Sequence, residues 1–126
     1  MYEVWIRRHL DAAHFLRGYG GKCEELHGHR FLVTVKVRAP KVDERGIAFD
    51  FSALRKLLDE ILREYDHSLL NEKEPFDKIN PSSENLAFVI YRKMREKLPK
   101  EVFISAVEVC ESPDACAQFL PEEPQG

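Results

Sequence analysis

The sequence predicts an α+β domain in which an antiparallel four-stranded sheet carries two helices on one face, in the order β-β-α-α-β-β. Three observations predict it. Apolar residues alternate with period two in the stretches 2–14, 27–37 and 103–111; they recur at helical spacing over 50–65 and 82–98; glycine- and proline-containing breaks separate these stretches. A chain of 126 residues with 44% apolar side chains has enough material for one packed core. One domain over 1–120 is expected, followed by a polar tail, "PEEPQG", at 121–126.

In the first strand Tyr2, Val4, Ile6, Leu10, Ala12 and His14 share one parity, and "RGYGG" ends it as a loop. In the second, His27, His29, Phe31, Val33, Val35 and Val37 share a face, with Arg30, Lys36 and Arg38 opposite. After a turn at "VDERG", Leu54, Leu57, Leu58, Ile61, Leu62 and Tyr65 define an amphipathic helix with Asp50 or Ser52 as its N-cap. "DHSLLNEKEPFDKI" reads as a loop. A second helix starts near Ser82 or Ser83 and buries Leu86, Val89, Ile90 and Met94. "VFISAVEVCES" alternates again, with Phe103, Val107 and Val109 on the parity of Glu111, and "ACAQFL" supplies the last strand.

Charge and composition narrow the function classes. The net charge of −3 argues against a general nucleic-acid binder. Residues 1–41 nevertheless hold eight Lys/Arg against four Asp/Glu, while 42–126 hold eleven against eighteen. The basic half suits a compact polyanion such as a phosphorylated small molecule, or its cations simply face solvent from one strand parity. No stretch approaches the ~20 apolar residues of a membrane span, and "MYEVWIRRHL" lacks a signal-peptide pattern. A cytoplasmic location with no membrane partner is therefore the expectation. Three cysteines, Cys23, Cys110 and Cys116, are an odd number, so reduced thiols are expected, with Cys110 and Cys116 buried and inert.

The segment "KCEELHGHRFLVTVKV" carries the strongest chemical signal. Side chains at i and i+2 of a strand lie on one face roughly 6.5 to 7 Å apart, so His27 and His29 can converge on one ion through metal–nitrogen bonds of about 2 Å. Gly28 leaves the backbone between them open to close approach. His14, at the end of the neighbouring strand on the same parity, completes a three-histidine set suited to Zn²⁺ with an open fourth position. Cys23 is an alternative fourth ligand, which would close the site and make it structural. Glu111 stands at the end of an apolar face, where a carboxylate needs hydrogen-bond donors.

The ordered motifs "DAAHFL", "CEELHGH", "FDFSALR", "YDHSLLN", "NPSSEN" and "VCES" resemble the 6-pyruvoyl-tetrahydropterin synthase family over residues 3 to 120. The three residues between Cys23 and His27 resemble, more narrowly, the 6-carboxy-tetrahydropterin synthases of the queuosine pathway. The resemblance implies the tunnelling fold, with trimeric barrels stacked into a homohexamer and active sites at subunit boundaries. It implies 7,8-dihydroneopterin triphosphate as substrate and 6-carboxy-5,6,7,8-tetrahydropterin, acetaldehyde and triphosphate as products, with 6-pyruvoyl-tetrahydropterin formation as the alternative. Carried over by motif, it implies Zn²⁺ on His14, His27 and His29, Cys23 as general base, Asp66 and His67 assisting proton transfer, and Glu111 anchoring the pterin ring. A non-catalytic domain with a structural zinc bound by Cys23 and the three histidines is the reading from a different class.

Overall fold

The structure, a computed structural model, describes residues 1–122 apart from the side chains of Lys22 and Cys23; residues 123–126 of the expected tail lie outside the described residues. Its elements are β1 (Tyr2–His14), β2 (His27–Ala39), α1 (Phe51–Leu62), β3 (Ser68–Leu69), α2 (Ser83–Lys97), β4 (Phe103–Ser112) and β5 (Ala115–Phe119). They form one sheet in the order β3-β1-β2-β4-β5, with α1 against β1 and α2 against β4 and β5. The expected four-stranded antiparallel sheet is corrected in one respect. A fifth strand, the two-residue β3, pairs parallel to β1 through Ala12↔Ser68 and Ala13↔Leu69. Too short to show a period, it sits in the segment read as a loop.

The helices begin where side-chain oxygens satisfy free amides. Asp50 accepts from Ser52 N at 2.9 Å, and Ser82 accepts from Asn85 N at 3.1 Å. Between the helices and the sheet lies the core, in which Leu10, Phe31, Val33, Leu54, Leu58, Phe76 and Ile90 are fully buried. Arg8 also lies on the core parity of β1. It stays at the edge of the interface by pairing twice with Asp59 of α1, at 2.7 and 2.9 Å.

Two bulges in β4 alter the simple alternation. Lys36 pairs with Ala106 but Val37 pairs with Ile104, so Ser105 is an extra residue. Inserting one residue exchanges the faces beyond it. Consequently Ile104, not Phe103, enters the core; Phe103 is half-buried with the Arg38 guanidinium over its ring. The second bulge lies on the other side of the strand pair: Cys110 faces Cys116 and Ser112 faces Ala115, leaving Glu111 without a partner.

Cys110 and Cys116 are joined by a disulfide across β4 and β5. This corrects the expectation of two separate buried thiols. Their facing depends on the hairpin register, and Cys116 is exposed. On the face away from the helices Thr34 is fully buried and accepts from Arg7 Nε at 2.7 Å, while Trp5 remains half-exposed. Among the described residues no helix is long and apolar enough to cross a membrane.

Candidate functional site

Antiparallel pairing of β1 with β2 brings the three histidines together. His14 pairs with His27 at the end of the ladder, and Ala12 pairs with His29 two rungs in. Their shared parity turns all three rings to the helix side, with centroids 4.5 Å (14 to 27), 5.2 Å (14 to 29) and 4.8 Å (27 to 29) apart. One ligand nitrogen from each lies within 4.8 Å of the others. This spacing fits three donors around one ion.

The hydrogen bonds around the rings define which nitrogen faces inward. His14 Nδ1 lies 2.7 Å from the Pro81 carbonyl and His27 Nδ1 2.7 Å from the Glu25 carbonyl. A carbonyl fixes the proton on Nδ1 and leaves Nε2 as the donor atom for a metal. Among the described residues, the Nε2 atoms of His14 and His29 are buried without a hydrogen-bond partner. Buried polar atoms are rarely left so, and a cation shared by these nitrogens would satisfy both. Burial holds the pKa of His14 below the ordinary histidine value, against the Pro81 carbonyl; burial does the same to His29, against Glu111. Both imidazoles are thereby kept in the neutral, metal-binding form.

The cluster opens into a cleft of about 860 Å³ between the end of the sheet and the start of α2, lined also by Tyr19, Ser82, Ser83, Asn85 and Glu111. That volume accommodates a small organic substrate. Glu111 Oε2 lies 3.7 Å from His29 Nε2, beyond hydrogen-bond reach, and lines the cleft. Its bulged position turns it into the cleft beyond the last paired residue of the core parity. The side chain of Cys23 lies outside the described residues; its backbone belongs to a short 3-10 turn, Gly21–Glu24, leading into β2.

Asp66 and His67 stand elsewhere. Asp66 Oδ1 accepts from Asp11 N at 3.0 Å, and His67 N donates to the Asp11 carbonyl at 2.6 Å, which ties both to the outer edge of β1. His67 has φ of 56°, in the left-handed region. This turn removes the alternation that would part neighbouring side chains and lets His67 Nδ1 reach Asp66 Oδ2 at 2.9 Å. His67, highly exposed, lines a shallow surface with Asp11, Ala13 and Gly28 of the opposite parity and with Ala12 and His29 of the cluster's own. Neither Asp66 nor His67 lines the cleft of its own chain.

Sequence reasoning missed the supports of the site. The Pro81 and Glu25 carbonyls are backbone groups and leave no residue-type signal, although "NPSSEN" marked the segment that carries one of them.

The fold is shared with solved structures. The structure of Caenorhabditis elegans 6-pyruvoyl tetrahydropterin synthase superposes with a TM-score of 0.81 at 26% identity, covering 97% of this chain and 98% of that one. Bacillus subtilis 6-carboxy-5,6,7,8-tetrahydropterin synthase is 33% identical, over 97% of this chain and 87% of its own. A dihydroneopterin monophosphate aldolase of Pyrococcus furiosus is 34% identical, over 86% of this chain and 89% of its own. The profile of the 6-pyruvoyl tetrahydropterin synthase family matches residues 3–122. Fold and relatives together define a pterin lyase. The chain belongs to the 6-pyruvoyl tetrahydropterin synthase family.

Proposed function

We propose that the protein is a zinc-dependent synthase that converts 7,8-dihydroneopterin triphosphate to 6-carboxy-5,6,7,8-tetrahydropterin, releasing acetaldehyde and triphosphate. The observation that carries the reading is the pair of buried Nε2 atoms of His14 and His29, unpartnered among the described residues, converging with His27 at the floor of the cleft. His14, His27 and His29 would hold the ion. When bound, zinc supplies Lewis-acid polarisation of the substrate's side-chain oxygens, which acidifies the adjacent C–H.

The remaining steps belong to the chain's own groups. Glu111 accepts hydrogen bonds from the pterin ring's N–H and amino group and so fixes the ring relative to the histidines. Cys23, four residues before His27, takes the proton from the hydroxyl-bearing carbon as a thiolate. Asp66 orients His67, which carries protons to and from the substrate oxygens. Because that pair does not line the cleft of its own chain, it would serve the cleft of a neighbouring subunit. Pairing between the free β3 and β5 edges of successive copies would close the sheet into a ring and bring the two halves together. Stacking of two trimeric rings into a homohexamer is the assembly we propose.

A second reading rests on the relative named as an aldolase. Retro-aldol cleavage of the same side chain begins with loss of an O–H rather than a C–H proton, for which a carboxylate near Cys23, such as Glu25 on the cleft wall, is base enough. Mass-spectrometric identification of the products formed from 7,8-dihydroneopterin triphosphate separates the readings. Carboxy-tetrahydropterin with acetaldehyde supports the first; a pyruvoyl or hydroxymethyl pterin would replace it.

A further inference from the structure

We propose that the Cys110–Cys116 disulfide is a reversible redox clamp on Glu111, so that oxidation tightens and reduction loosens the pterin end of the cleft. The inference rests on the reading of Glu111 as the ring anchor. Four observations on the β4–β5 hairpin lead to it. The two cysteines face each other directly in the ladder, with Cα atoms 3.9 Å apart, and their sulfurs are joined on the face away from the helices. The next residue of β4 is Glu111, which has no partner in β5. Beyond it a single rung, Ser112↔Ala115, closes the hairpin end. Cys110 is buried while Cys116 is exposed and sits at the margin of the cleft.

A bulge interrupts ladder hydrogen bonds, so the direction of its extra residue depends on the rungs at either side. Here the inner rung carries a covalent bond and the outer one closes only a tight turn. With the bond in place the backbone of Glu111 is held and its carboxylate stays beside His29. Without it the hairpin end is an edge segment with one rung beyond an irregularity, the kind of unit that opens locally at small cost. The metal cluster sits at the β1–β2 end of the cleft and its supports, Pro81 and Glu25, belong to other segments, so opening the hairpin leaves it intact.

Exchange is open to a small dithiol. Its thiolate attacks the exposed Cys116 sulfur, the Cys110–Cys116 bond breaks, and Cys110 leaves as a thiolate that takes up a proton. The reagent's second thiol then displaces Cys116 and closes a cyclic disulfide. The protein has gained two electrons and two protons.

The test uses the full chain purified without reductant and loaded with metal. Thiol counting under denaturing conditions should find about one free thiol of the three cysteines before reduction and all three after it. Dithiothreitol treatment should raise KM roughly 3- to 10-fold while kcat changes by less than about twofold, since loosening an anchor costs binding rather than chemistry. Cys116→Ser should show the raised KM from the outset and no further response, which also controls for metal capture by the reagent. Three free thiols in the unreduced protein, or an unchanged KM on reduction, overturns the clamp. Glu111→Gln separates the two failures. If it leaves KM unchanged, the anchor reading falls and the clamp with it; if it raises KM while reduction does nothing, the clamp alone falls.

Discussion

Asn80 grips the backbone of Arg17 from both sides: its Oδ1 accepts from Arg17 N at 2.8 Å, and its Nδ2 donates to the Arg17 carbonyl at 3.0 Å. Asn71 does the same to Phe15, at 3.0 and 2.9 Å. Two side-chain amides thus continue strand-like pairing past His14, where β1 ends, and Asn80 is followed by the Pro81 carbonyl that holds the His14 ring. The loop from His14 toward Cys23 is therefore anchored at alternate residues by the segment before α2.

Asn71 is buried, so truncating it leaves an amide and a carbonyl of Phe15 unpaired. Asn71→Ala should lower unfolding free energy by about 1–3 kcal/mol, the cost of stranding buried polar groups. Urea denaturation of the variant beside the parent measures it. A change within error would show that water replaces the clamp.

Cys23→Ala distinguishes a base from a ligand. As a base it should cost about 10²–10⁴-fold in turnover with metal content unchanged. If the variant loses its metal and its fold together, the thiol is a fourth ligand and the site is structural.

Glu3 gives a pH dependence of stability. The Ser105 hydroxyl at 2.6 Å, and then Arg38, hold its pKa below the ordinary carboxylate value. A carboxylate depressed in the folded state adds stability above its unfolded pKa, and that contribution is lost as pH falls through the folded value. Between about pH 6 and about pH 3, unfolding free energy should fall further in the parent than in Glu3→Gln. Parallel curves would remove Glu3 from the acid response.

The separation of the Asp66–His67 pair from the cleft makes assembly testable. If the site is shared between subunits, His27→Ala and His67→Ala chains, each inactive alone, should regain activity after dissociation and mixing, with about a quarter of the sites combining two intact halves. No recovery from the mixed chains, or full activity in a monomer, would place every site residue in one subunit.

How much of this was legible beforehand follows from which signals are periodic. The parity of His14, His27 and His29 is a property of regular strands, and the rings do meet on one face. Glu111 reaches the cleft as its parity indicated, although through a bulge that the parity argument did not contain. The bulge at Ser105 exchanged Ile104 for Phe103 in the core because one inserted residue resets the alternation without changing composition. Cys110 and Cys116 required the hairpin register, a tertiary fact. The contact between Asp66 and His67 required a left-handed backbone turn at a histidine, which no neighbouring glycine announces.

The central claim is that one metal ion on His14, His27 and His29 is needed for turnover of the pterin substrate. Its most direct test is metal analysis and product formation on the same samples of parent, His27→Ala and His29→Ala protein, before and after chelation and with zinc restored. The account predicts about one zinc per chain in the active parent, loss of metal and turnover together on chelation and in both variants, and recovery of the parent alone when zinc returns. Full turnover by metal-free parent, or undiminished zinc in both variants, would contradict it.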